Sequence, residues 1–178
     1  MKGISARAMV IVALMTTLFI TQPARADEEL HAKVVEAIEL FNSTDPSLSE
    51  FFADAYGYVV FPNIVKGGLG LGGARGNGEV YERNRKVGDA VLTQFTIGAQ
   101  IGGQAYAEVI FFEDESALDN FKDSKMEFTA QASAIAASAG ASIDAPYEHG
   151  VMVITVGKKG LMAEAAVGGQ KFKFIADK

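Results

Sequence analysis

Two carboxylates occupy apolar surroundings. Glu108 lies among Tyr106, Val109, Ile110, Phe111 and Phe112, and Glu164 stands between Ala163 and Ala165. A carboxylate on such a strand needs a partner, or its pKa rises until it holds a proton. Two that met could divide acid–base work between them. The plainer outcomes are an ion pair with Lys66 or an arginine, or a side chain turned to solvent. The two histidines, His31 and His149, have no second histidine at a metal-ligand spacing, and the chain has no cysteine. They suit surface or capping roles, and no metal or other cofactor is implied. Gly68-x-Gly70-x-x-Gly73 matches a dinucleotide fingerprint in form. That motif needs a helix directly after its glycines, and here Ala-Arg-Gly-Asn-Gly follows. There is no Gly-Lys-Ser/Thr phosphate loop and no Gly-x-Ser-x-Gly, so no catalytic residue is assigned.

The cations are better grouped. Arg75, Arg83, Arg85 and Lys86 flank an Asn-Gly pair, with Lys66 and the Lys158-Lys159 turn as further candidates for contact with an anionic headgroup. Each cation near an anionic lipid surface contributes about 1 kcal/mol. Glu79 and Glu82 offset part of that, and a solvated hairpin surface is the competing reading.

Helical spacing of Leu30, Val34, Ile38 and Phe41 predicts an amphipathic helix over Asp27 to Phe41, and Leu48 to Ala55 forms a shorter one. From Gly57 the pattern is mainly β. Tyr58 to Phe61 and Gly67 to Ala74 read as strands, and Gly76-Asn77-Gly78 as a tight hairpin into Glu79 to Arg85. Gly68, Gly70 and Gly72 alternate with Leu69 and Leu71, which leaves one strand face bare, for close packing or for a ligand crevice. After a turn at Val87-Gly88-Asp89, Val91, Phe95, Ile97 and Ile101 share one face of the next strand, and Gln94, Thr96 and Gln100 the other. Gly102-Gly103 bends the chain into Ala105 to Phe112, apolar on both faces as in a central strand. Asp114 or Ser116 caps a helix to about Lys125 that buries Leu118 and Phe121. Phe128 to Ala139 reads as a thin strand, Val151 to Val156 and Leu161 to Val167 as a hairpin, and Phe172 with Phe174 as the closing strand.

The first 26 residues read as a secretory signal. Lys2 and Arg7 precede an uncharged run from Met9 to Ile20, and Ala24-Arg25-Ala26 fits a cleavage site before Asp27. Without that segment 13 basic residues face 22 acidic ones, a charge of −9. Such a surface argues against nucleic acid, and an anionic ligand must be met by a local basic patch. Without cysteine there is neither a disulfide nor acylation at a thiol. Residues 27–178 form one domain.

Four segments carry a family resemblance. They are Phe61-Pro-Asn-Ile-Val-Lys-Gly-Gly-Leu-Gly-Leu-Gly-Gly73; Phe95-Thr-Ile-Gly-Ala-Gln-Ile-Gly-Gly-Gln104; Glu108-Val-Ile-Phe-Phe112 with its following helix; and Lys159-Gly-Leu-Met-Ala-Glu-Ala-Ala-Val-Gly-Gly169. In order and spacing they resemble the SYLF domain, a lipid-binding module of membrane-trafficking and actin-patch proteins, and most closely its secreted bacterial branch. The resemblance implies non-catalytic association with phospholipid or a membrane surface in the bacterial cell envelope, with a structural or protein-interaction role among envelope proteins as the alternative. The segment after Ala26 is acidic and no SH3 domain is present, which argues against phosphoinositide specificity and actin. The expected fold is α+β: a curved antiparallel sheet of about eight or nine strands, a partial barrel or sandwich, with about three covering helices.

Overall fold

The computed structural model describes residues 22–123, 127–128, 135–136, 147–157 and 170–177. Three helices and six strands lie among them: α1 Gln22–Thr44, α2 Leu48–Asp54, β1 Gly57–Glu82, β2 Arg85–Phe112, α3 Glu115–Lys122, β3 Glu127–Phe128, β4 Ile135–Ala136, β5 Val151–Gly157 and β6 Gln170–Ala176. The fold is α+β, with a single curved sheet that does not close among the described residues. It is antiparallel apart from the parallel pair β4–β5. The expected strands at 161–167 and over most of 128–139 lie outside the described residues.

Among the described residues, five of the expected strands merge into two, because the glycines bend strands instead of ending them. β1 has 26 residues and β2 has 28, and they pair along nearly their whole length. The ladder shifts register at Phe61/Ile64, Leu69/Leu71 and Val80/Tyr81. Such bulges bend and twist a strand without breaking it. The turn between them is not at Asn77-Gly78 but at Arg83-Asn84, where φ is 47° and 62°. Two successive positive φ values are the geometry of a two-residue hairpin turn, and Asn84 accepts it readily.

Gly78 serves a different purpose. A Cβ there would lie 2.4 Å from the Val60 carbonyl oxygen and 2.7 Å from the Phe61 ring. At Gly57 it would lie 2.7 Å from the Tyr81 carbonyl oxygen, and the Arg83 N–H donates to the Tyr56 carbonyl at 2.9 Å. β1 therefore curls until its two ends meet backbone to backbone. Gly88 plays the same part for β6: a Cβ there would lie 2.4 Å from the Ile175 carbonyl oxygen. The expected turn at Val87-Gly88-Asp89 is thus a point within β2.

β2 is the central strand. Beside β1, its Tyr106–Phe112 stretch pairs with β5 and its Gly88–Gln94 stretch with β6. Two cores follow from this. Inside the curl, Val59, Phe61, Ile64, Leu92, Ile110, Phe112 and Phe172 pack with Leu118 and Phe121 of α3. Asp114 caps α3 by accepting the Ala117 N–H at 2.9 Å. Outside, Val34, Ala37 and Phe41 of α1 and Leu48 and Phe52 of α2 cover Tyr58, Val60, Val109 and Phe111. The Phe52 ring meets Phe111 and Tyr58 edge-on, with centroids 4.9 and 5.2 Å apart. α1 ends where Asp45 Oδ1 accepts from the Ser47 N–H and hydroxyl.

A side chain at position 78 has nowhere to go. Gly78→Ala should destabilise the fold by about 1–3 kcal/mol, whereas exposed Asn77→Ala stays within about 0.5 kcal/mol. Urea denaturation midpoints decide: equal effects at both positions would restore the turn to Asn77-Gly78 and remove the close approach.

Candidate functional site

The inner face becomes polar at one end. Glu108 follows Ile110 on that face, opposite Phe61 on β1 and Thr155 on β5. It is 1% exposed. Gln170 Nε2 donates to its Oε2 at 3.2 Å, and its Oε1 has no partner among the described residues. Burial pushes the carboxyl up to about 7, the Gln170 hydrogen bond opposing. The Tyr106 hydroxyl donates to Gln94 Oε1 at 3.4 Å, and burial followed by the Glu108 charge raises its phenol. Gln94 stands opposite Gln170 in the ladder. Lys66, 5% exposed, lies inside the curl and not on a headgroup-accessible surface. These residues form an inward-facing layer, buried at Lys66, Gln94 and Glu108 and half-buried at Tyr106 and Gln170, with one carboxyl that titrates near neutrality. Glu164 lies outside the described residues, as do Lys158 and Lys159.

The turn cations separate. Lys86 is held by Asp89 at 3.0 Å and by Glu79 and Asp177 at 3.6 Å each. Burial lowers its pKa, but those carboxylates outweigh it and leave the ammonium above its ordinary value. Glu79, also 1% exposed, further accepts the Tyr81 hydroxyl at 2.6 Å and lies 3.0 Å from His31 Nδ1 under α1. Arg83 sits 5.0 Å over the Tyr56 ring. Arg83 and Arg85 are exposed beside the turn, whereas Arg75 is exposed eight residues back along β1. His149 is exposed at a turn with φ 55°. Among the described residues no group of three His, Asp or Glu could hold a metal ion.

The outer face divides in two. One part lies under α1 and α2. The other, along the middle of the β1–β2 ribbon, leaves Phe95 69% and Val65 54% exposed. Gln94, not Phe95, is the buried neighbour, so β2 here turns its glutamine inward and its phenylalanine outward. Gly68 and Gly72 pair with Gly102 and Thr96, and Gly70 falls at the register shift between Leu69 and Leu71. Over Phe95–Ala105 β2 has only β1 as a ladder partner among the described residues. An open groove of about 370 Å³ separates α1, at Lys33, Glu36, Ala37 and Leu40, from Pro62, Asn63 and Gly157.

Three exposed cations share this face. Arg75 is opposite Thr93, which is opposite Lys171 on β6; Asn77, Val91 and Lys173 form the next row. Lys171 and Lys173 were not among the sequence candidates. Their alternation with Phe172 and Phe174 signals a cationic strand face, but only the β2–β6 register brings that face to Arg75.

The Glu108 carboxyl gives a pH dependence of defined sign. Its folded pKa of about 7 exceeds the unfolded value of 4.5, so the folded state binds the extra proton between them. Stability is full below about pH 4.5 and falls as pH rises to about 7 and above, by up to about 3 kcal/mol. Glu108→Gln should remove that loss, gaining stability over wild type at pH 8 relative to pH 5. A variant-to-wild-type difference that is the same at both pH values in urea titrations would refute the buried titration.

Residues 93–177 match the family described as Ysc84, Las17-binding protein actin regulator. The chain is 36% identical over 138 residues to "Beta cell expansion factor A" of Aeromonas veronii, an alignment covering 76% of this chain and 51% of that protein. The chain thus spans about half the length of that curated relative. The family match runs from within β2 to the end of β6, so it is to the Ysc84 (SYLF) family that this part of the chain is similar.

Proposed function

We propose that this protein is a non-catalytic lipid-binding protein of the bacterial cell envelope, periplasmic or secreted after loss of residues 1–26, whose partner is a phospholipid surface. The exposure of Phe95 and Val65, on a sheet face that no helix of the described residues covers, carries the reading. An antiparallel sheet with one free face ordinarily presents polar residues there, and large apolar residues left open mark contact with a partner or membrane. Similarity of residues 93–177 to the Ysc84 (SYLF) family supports a lipid partner. The sequence supports the location through its basic start, apolar run and Ala24-Arg25-Ala26 site.

A net charge of −6 for the whole chain, or −9 without the signal segment, repels an anionic membrane at long range. Binding then rests on apolar contact assisted by local cations. Vesicle association should weaken but persist when added salt shrinks the Debye length to about 3 Å. Co-sedimentation of the protein with phospholipid vesicles at low and high salt tests this. A protein that stays in the supernatant under both conditions is not a lipid binder.

A further inference from the structure

The uncovered part of the outer face has a composition that selects among membrane surfaces. Phe95 is the most exposed large apolar side chain of the described residues. The row of Arg75, Thr93 and Lys171 lies two residues from it along β2, a separation of about 7 Å. Neighbouring strands stand about 5 Å apart, so Arg75 and Lys171 flank Thr93 at about 10 Å from one another, and Lys173 follows one row on. The carboxylates at that end of the ladder, Asp89 and Asp177, are engaged by Lys86, and Glu79 is buried beneath His31. Glu127 is the register neighbour of Lys171 on β3. Arg75, Lys173 and Lys171, the last already partnered, therefore gather on the most open sheet face among the described residues, in a chain whose overall charge is negative. In the other direction the ladder runs through Leu71–Ile97, Leu69–Ile101 and Gly67–Gly103 to the exposed Val65.

Resting on the lipid-binding reading above, we propose that this face, and not the arginine pair at the Arg83-Asn84 turn, docks the protein onto an anionic phospholipid bilayer. Phe95 enters the boundary between headgroups and acyl chains, while Arg75, Lys171 and Lys173 meet headgroup phosphates. An aromatic ring suits that boundary, and cations one or two ladder rows away remain at headgroup level when the ring is buried. Arg83 is less suited, because it already lies over the Tyr56 ring.

The chain contains no tryptophan, so Phe95→Trp places a single reporter in the proposed contact. On vesicles containing one part phosphatidylglycerol to two of phosphatidylcholine, its emission should shift to the blue and be quenched by brominated acyl chains. R75E/K171E/K173E should lower partitioning onto these vesicles at least about ten-fold, and onto pure phosphatidylcholine far less. R83E/R85E should change either by less than about three-fold. All substituted side chains are exposed, and circular dichroism with a thermal midpoint checks that each variant is folded.

Vesicle binding by wild type, together with an unshifted indole emission from the bound Phe95→Trp variant, overturns the proposal and leaves the lipid reading intact. So does a loss confined to R83E/R85E. If wild type binds no vesicle, the proposal and the lipid reading fall together. Self-association in sedimentation velocity that Phe95→Ser abolishes, without vesicle binding, assigns the face to a second copy of the chain and overturns the proposal.

Discussion

Everything in this fold depends on the backbone contact between the two ends of β1. Where Gly78 passes the Val60 carbonyl, and Gly57 the Tyr81 carbonyl, a Cβ would stand closer to an oxygen than real Cβ atoms do. Only glycine permits that approach. With the contact in place, a 26-residue strand becomes a curl with an inside and an outside. β2 follows the same curve by pairing with it, and β5 and β6 then take positions on β2 at opposite ends of the bend. The inner core is possible only because these strands bring Phe61 and Phe172 to within 5.9 Å between ring centres, with Phe121 packed on Phe172 at 5.2 Å.

The curl also determines where polar groups can be tolerated. Glu108 is placed inside by strand alternation from Ile110, and the curled sheet admits a glutamine amide to one of its oxygens but no partner, among the described residues, to the other. A carboxyl so placed holds its proton up to about neutral pH. Glu79 is buried to the same extent on the opposite face and is served by Tyr81, His31 and Lys86. Two glutamates of similar burial thus lie in opposite electrostatic settings, and the difference is the supply of donors.

Outside the curl, α1 and α2 cover one part of the sheet because Phe41, Phe52 and Phe111 provide the apolar contact there. The glycine-rich middle of the β1–β2 ribbon offers no comparable purchase to a helix: Phe95 and Val65 remain open. There an exposed aromatic stands beside Arg75, Lys171 and Lys173. The proposed bilayer contact rests on this pairing of an apolar and a cationic contribution.

Much of this was legible in the chain itself. The spacing of Val34, Ile38 and Phe41 determined α1, Asp114 determined the start of α3, and apolar residues on both faces of Glu108-Val-Ile-Phe-Phe112 determined a central strand, because these are effects of neighbours within a few residues. The glycines determined that backbones approach closely, but not where. Asn77-Gly78 carries the local preference for a hairpin turn, yet the turn formed at Arg83-Asn84, since the contact of Gly78 with Val60 spans 18 residues and has no local signature. Likewise the sequence placed Gln94 and Phe95 on opposite faces, and only the curl decided that the glutamine went in. The cationic face was visible only in part, as Lys171 and Lys173 alternating with phenylalanines. Its union with Arg75, 96 positions away, exists solely through the ladder of β1, β2 and β6, because hydrogen-bond register between distant strands is a property of the assembled sheet and of no single segment.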